Sequence, residues 1–267
     1  MRTTLLYLYA FLLWAIPVAA QQVNIQPSIL EFHAAPGTME SQVIRVSNHS
    51  PKKLIVEAYL SDWLRDSTGA HQYFRPDTLA RSCAAWVSLS KTLLELPPDS
   101  SRELIVQLRV PSVPEAGNQM KWAMLFLQSA KEQEGTEKSG KELNTHIREL
   151  IRVGVHIYQT PPSLTKMSGR LTALKAVEKE KNTFDLYMEN TGELMLQCRA
   201  HLELTDISTG KEYKLDKIEF PVFPDGKRKV KLVIPSSVPP GKYSALAVMD
   251  IGEGAPLEAI ERVIEVK

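Results

Sequence analysis

The sequence predicts an all-β protein built of two tandem β-sandwiches. Three observations carry this expectation. Apolar and polar residues alternate with period two in many short segments, as in Phe184, Leu186, Met188 and in Ala200, Leu202, Leu204, which places the apolar members on one face of a strand and the polar ones on a wet face. Pro, Gly, Asn and Asp bound these segments, and no stretch of about 10 or more residues carries an apolar helical stripe. Two parts of the chain also run through the same turn signals in the same order. Two sets of about seven strands, each in about 100 residues, correspond to immunoglobulin-like sandwiches.

The chain opens on an export signal. Arg2 is followed by an apolar run over residues 5–18 and by small residues at Val18 and Ala20, which sets residues 1–20 as a signal peptide cleaved before Gln21. Pro17 interrupts the run, polar Gln21 and Gln22 follow it, and it falls short of the roughly 20 apolar residues of a membrane span. No Cys follows the small residues as a lipid acceptor, and nothing beyond residue 22 is apolar enough to span a bilayer. The expected mature chain therefore has no membrane span. Its 43% hydrophobic and 24% charged residues fit globular domains. Lys and Arg number 32 against 31 Asp and Glu, and loss of Arg2 with the signal leaves the two counts equal, so no general attraction to nucleic acid or anionic lipid is expected.

The repeat is best seen in its turns. Val46-Ser47-Asn48 closes one strand and Asp66-Ser67-Thr68-Gly69 forms a later turn; Met188-Glu189-Asn190 and Asp206-Ile207-Ser208-Thr209-Gly210 follow the same plan. The distance from Asn to turn Gly is 21 residues in the first copy and 20 in the second. Downstream, Pro98-Asp99 precedes Leu104, Val106, Leu108 and Val110, and Pro224-Asp225 precedes Val230, Leu232 and Ile234. A first domain over residues 23–159, a proline linker over 160–162 and a second domain over 163–267 follow from this duplication. Pro161 and Pro162 fix their backbone angles and cannot donate to a ladder. The first copy carries extra material over residues 73–93, including Cys83 and Trp86, and a polar segment over residues 129–146 that is expected to be a loop between two long strands.

Little in the sequence points to reaction chemistry. His33, His49, His71, His146, His156 and His201 show no helical zinc spacing and no neighbouring cysteine pair, so no metal and no cofactor are expected. There is no phosphate-binding Gly-rich loop and no Gly-x-Ser-x-Gly elbow. The only cysteines, Cys83 and Cys198, fall in different expected domains, which excludes a bridge inside either one. Two buried thiols, an interdomain bridge and a reactive thiol stay open. The expectation is a non-catalytic protein whose function lies in its surfaces.

On Pro27-Ser28-Ile29-Leu30-Glu31-Phe32, the Val-Ser-Asn ending at Asn48, Leu96-Pro97-Pro98 through Val110-Pro111, the paired segments 121–128 and 147–158, and the short connector, the chain resembles the PapD-like periplasmic chaperones. That resemblance implies two immunoglobulin-like domains, a periplasmic location and a partner-binding edge framed by the first domain's last two strands. It also implies, in pilus chaperones, an Arg on the first strand and a Lys on the last that anchor a client carboxylate. Here Ile29 and Leu30 occupy the Arg region, and the Lys position falls at Arg152 or Val153.

Residues 147–158 are the candidate partner-binding strand, since a strand with alternate apolar side chains can complete a partner's sheet while its backbone supplies hydrogen bonds. Ile147, Ile151, Val153, Val155 and Ile157 form one face, with Arg148, Arg152 and His156 opposite. The candidate site is Ile147, Arg148, Ile151, Arg152, Val153 and Val155; the same apolar face equally suits the domain's own core. The expected function is a periplasmic chaperone or assembly factor for exported β-rich envelope proteins. The alternatives are a permanent structural subunit of an envelope complex and, for location, secretion outside the cell.

Overall fold

The computed structural model describes residues 23–129, 150–252 and 255–267. The export signal, the polar segment after Ser129, and Ile147 and Arg148 lie outside the described residues. In chain order the strands are β1 (Val23–Gln26), β2 (Ile29–Phe32), β3 (Met39–Asn48), β4 (Leu54–Arg65), β5 (His71–Phe74), β6 (Val87–Leu89), β7 (Leu93–Leu96), β8 (Ser100–Arg109), β9 (Lys121–Ser129) and β10 (Arg152–Gln159). They continue as β11 (Gly169–Ala176), β12 (Thr183–Asn190), β13 (Leu196–Asp206), β14 (Glu212–Lys214), β15 (Ile218–Val222), β16 (Lys227–Val233), β17 (Gly241–Asp250) and β18 (Glu258–Val266). The helical elements among the described residues are two short 3-10 turns at Ala84–Trp86 and Pro114–Gly117. Among the described residues no helix is long and apolar enough to cross a membrane.

The first ten strands make one sandwich. One sheet has the order β1-β3-β8-β6; the other runs β2-β10-β9-β4-β5, with β7 also on β4. The last eight make a second sandwich from β11-β12-β16 and β14-β13-β17-β18, with β15 also on β13. No ladder joins a strand of the first set to one of the second. Each sandwich has its own core. Leu30, Phe32, Ile44, Leu104, Leu125 and Ile157 fill the first, and Leu186, Leu202, Leu204, Tyr243 and Met249 the second. The alternation expected from sequence is what packs them: Leu104, Val106 and Leu108 of β8 are all at 0% exposure, with exposed or half-buried residues between them.

Strand numbers exceed seven per sandwich for a local reason. Pro27, which has no N–H to give a ladder, separates β1 from β2, and the two pair in different sheets: β1 antiparallel to β3, β2 parallel to β10. The extra material after residue 73 adds β6 and a loop held by one buried carboxylate. Asp62 accepts from the backbone N–H of Asp77 (3.2 Å), Thr78 (2.8 Å) and Leu79 (2.8 Å) and from Ser82 Oγ (2.5 Å).

The repeat survives as duplicated corners. Asn48 is fully buried, and its Nδ2 donates to the carbonyls of Lys52 (2.8 Å), Leu96 (3.1 Å) and Pro97 (3.0 Å) while its Oδ1 accepts from Ser50 N. Asn190 does the same for Leu194 and Val222 (both 2.8 Å) and for Gly192 N. Asp66 and Asp206 each accept from the backbone two residues on, closing turns that end at Gly69 (φ 97) and Gly210 (φ 71). Asp99 (φ 49) and Asp225 (φ 62) are the left-handed residues of the matching Pro-Asp turns.

Removing a buried amide strands several main-chain groups, each costing about 1–3 kcal/mol. Beyond the signal the tryptophans are Trp63, Trp86 and Trp122, all in the first sandwich. Asn48→Ala is therefore expected to lower the urea midpoint read by tryptophan fluorescence. Asn190→Ala is expected to lower the midpoint of the second sandwich, read by far-UV circular dichroism.

Candidate protein-binding edge and the aromatic junction

Strand β10 is paired unequally on its two sides. β9 covers its whole length, from Arg152↔Gln128 to Gln159↔Lys121, whereas β2 covers only His156–Gln159. Backbone directions follow from two bonds: His156 N donates to Ser28 O on the β2 side, and Ile151 O accepts from Ser129 N on the β9 side. Because direction alternates along a strand, the N–H and C=O groups of Arg152 and Gly154 point away from β9. Among the described residues no strand meets them. This is an open sheet edge beside the 150–155 stretch.

The sequence-predicted site residues divide between the two faces of this strand. Val155 and Ile157 are at 0% exposure inside the first core, with Ile151 packed against it and Val153 half-buried. Arg152 is exposed on the opposite face, its guanidinium 4.7 Å from the Phe126 ring and 6.0 Å from that of Tyr73. It lies at the end of β10 remote from the connection to the second sandwich. At the other site implied by the resemblance, Ile29 is exposed and Leu30 is core.

The outward face of this sheet is not the wet face that alternation predicts. It carries a second apolar layer of Trp63, Met120, Trp122, Met124, Phe126 and Tyr158, to which the second sandwich adds Phe223. The Phe223 ring lies 5.1 Å from Trp63 and 4.8 Å from Trp122. Both indoles are satisfied inside the sheet, Trp63 Nε1 donating to Ala123 O (3.2 Å) and Trp122 Nε1 to Trp63 O (2.8 Å). The unbroken apolar run from Trp122 to Leu127 was the available signal, since a strand buried on both faces loses its alternation.

Polar contacts tie the same junction. Arg81 meets Asp225 at 2.5 Å, and the carbonyl of Ser67 accepts from Lys229 N (2.7 Å) and from Arg228 Nη1 (3.3 Å). A cavity of ≈ 320 Å³ remains there, lined by Trp63, Trp122, Phe223, Arg65 and Arg81 among others.

Two histidines sit on the aromatic layer. The Nε2 atoms of His71 and His156 are 3.4 Å apart, both rings lie 4.9 Å from that of Trp63, and Arg65 Nη2 is 3.1 Å from His71 Nε2. Burial, then the charges of His71 and Arg65, push His156 down to about 4; burial and Arg65 also lower His71. With the acceptor of His71 facing a guanidinium, this pair is a poor cation site. Among the described residues no three potential metal ligands cluster. Cys83 and Cys198 are free and buried, and burial raises both thiols to about 12, which removes the thiolate that nucleophilic chemistry needs.

Comparison with solved structures bears on the fold. A chain of the chaperone–tip adhesin complex of CFA/I fimbriae biogenesis is 10% identical, with a TM-score of 0.52 over 91% of this chain and 98% of that one. The class 5 fimbriae chaperone CfaA is 11% identical over 92% and 99% of the two chains (TM-score 0.48), and the Pseudomonas aeruginosa CupB2 chaperone 14% identical over 90% and 100% (TM-score 0.45). No family model and no curated protein matches the chain. The two-sandwich architecture implied by the resemblance to PapD-like chaperones is the architecture observed.

The histidine pair sets a pH dependence. His156 has its ordinary value near 6.5 when unfolded and about 4 when folded, so below pH 6.5 the unfolded chain binds more protons and stability falls with pH. The thermal midpoint is expected to drop between pH 7 and pH 5. A His156→Leu variant, which cannot take up that proton, is expected to show a flatter slope over the same range.

Proposed function

We propose that this chain is a non-catalytic periplasmic factor, a chaperone or assembly factor of PapD-like type, that receives an exported β-rich protein by strand addition along the open edge of β10. The observation that carries this reading is the backbone of Arg152 and Gly154, which no strand among the described residues covers, ahead of where β2 begins its cover at His156. An unpaired row of N–H and C=O groups is a template for another strand. Its flanks suit recognition: half-buried Ile151 and Val153 on one face, Arg152 over Tyr73 and Phe126 on the other, and exposed Leu150 at the entry. The shared fold with a chain of a chaperone–adhesin complex supports the same reading.

Proline separates the two ladders of β10. Arg152→Pro removes an N–H that serves no bond within the described residues, and edge positions accept proline; Val153→Pro removes one that faces β9. With a photocrosslinking amino acid at Leu150, in-cell capture of a β-rich exported protein is expected in the parent. Capture is expected to be lost in Arg152→Pro at little cost in thermal stability, whereas Val153→Pro is expected to destabilise by about 3 kcal/mol or more. Equal capture by Arg152→Pro and the parent overturns strand addition at this edge. Crosslinking that declines as the captured protein assembles separates a chaperone from a permanent subunit.

A further inference from the structure

The turn at Asp66–Gly69 is held from both sides by cations. On the first-sandwich side Arg65 Nη1 donates to Gly69 O (3.3 Å) while Nη2 reaches His71 Nε2 (3.1 Å). On the second-sandwich side the Arg228 guanidinium packs onto Gly69 so closely that a Cβ there would overlap it, and Arg228 Nη1 and Lys229 N both bond Ser67 O. Gly69 has φ 97, so both its backbone and its missing side chain are needed for this contact. His156, on β10, completes the chain through His71 at 3.4 Å.

The charge balance of this cluster is one-sided. The Nε atoms of Arg65 and Arg228 are buried and without a hydrogen-bond partner. The acid of the turn, Asp66, spends one oxygen on Thr68 N, Thr68 Oγ1 and Ala70 N. The remaining ionisable neighbours are Tyr73, Tyr158, whose phenol burial raises to about 12, Glu31 of β2, whose charge reaches Tyr158, and Arg152 further along β10. Asp225 is engaged with Arg81. With both imidazoles neutral, His71 Nε2 is an acceptor for Arg65, and His156 Nε2 lies 3.4 Å from it. One proton on the pair converts that acceptor into a cation beside Arg65.

We propose that His71, His156, Arg65 and the Asp66–Gly69 turn form an acid-released latch between the two sandwiches. Protonation drives Arg65 off His71, the turn loses its grip on Gly69 O, and the bonds from Arg228 and Lys229 to Ser67 lose the rigid loop that presents them. The sandwiches then part at Phe223. The latch rests on the junction geometry alone; that its opening also changes partner hold rests on the proposed role of β10, which carries His156.

The test uses the mature chain with spin labels on Lys91→Cys and Lys217→Cys, exposed positions one in each sandwich; the native thiols are buried. Between pH 7.5 and pH 4 the interdomain distance distribution is expected to gain a longer population. The same labelled chain with His71→Asn and His156→Gln is expected to keep one distribution throughout. No change in the parent, or an equal change in the histidine-free chain, overturns the latch. Should the double variant fail to fold, imidazole NMR titration of the parent decides: the distance change must share its midpoint with the histidine pair, and a pair that titrates while the distance holds overturns the proposal. None of these readings depends on a partner, so loss of the latch and loss of the strand-addition role are separable.

Discussion

Trp63 lies at 0% exposure on the face of a sheet that points away from its own core. A buried indole removes about 150–250 Å² from water, about 4–6 kcal/mol as an upper bound, and on an outward sheet face that burial needs a second cover. The cover comes from neighbours on every side: Trp122 and Tyr158 within the sheet, His71 and His156 at 4.9 Å, and Phe223 from the second sandwich. Much else follows from this demand. β9 must be apolar on both faces, a side chain at position 154 would force Met124 to shift, since a Cβ there would lie 2.8 Å from its Sδ, and Phe223 must pack against the sheet.

The duplicated turns illustrate how copies of one pattern take different work. Asp206 closes its turn much as Asp66 does, yet the next residue, Ile207, donates to Lys242 O within its own sandwich. The Ser67 carbonyl instead faces the partner sandwich. What differs is the neighbour, since Arg228 and Lys229 stand on β16 where the first turn can reach them. Local chemistry fixes the turn; tertiary placement decides whether the residue after its Asp bonds a strand of its own sandwich or the junction.

That division also explains what the sequence discloses. Period-two alternation gives β8, β12, β13 and β16, and the Asn, Asp-x-Thr-Gly and Pro-Asp signals give the corners, because each depends on contacts within a few residues or on one buried face. The parallel pairing of β2 with β10 is not legible, since a strand that changes sheets after Pro27 leaves no periodic trace. Nor is the meeting of Arg65, His71 and His156, which lie on three strands. Of the candidate strand, residues 152–158 fall within β10. Val155 is spent on the core, and the groups that face away from β9 belong to Arg152 and Gly154, ahead of the cover by β2.

Within the described residues the edge offers few backbone groups. The N–H and C=O groups of Arg152 and Gly154 offer about four ladder bonds, each worth about 0.5–1.5 kcal/mol net, against the roughly 8 kcal/mol of a micromolar complex. Backbone pairing alone therefore falls short of stable binding, and it is indifferent to sequence. In the strand addition proposed above, affinity and choice of partner come from side chains beside the edge, where Ile151 and Val153 continue the core and Arg152 lies on Phe126. Strand addition as proposed at this edge is therefore decided by the half-buried apolar residues and the arginine beside it, not by backbone pairing.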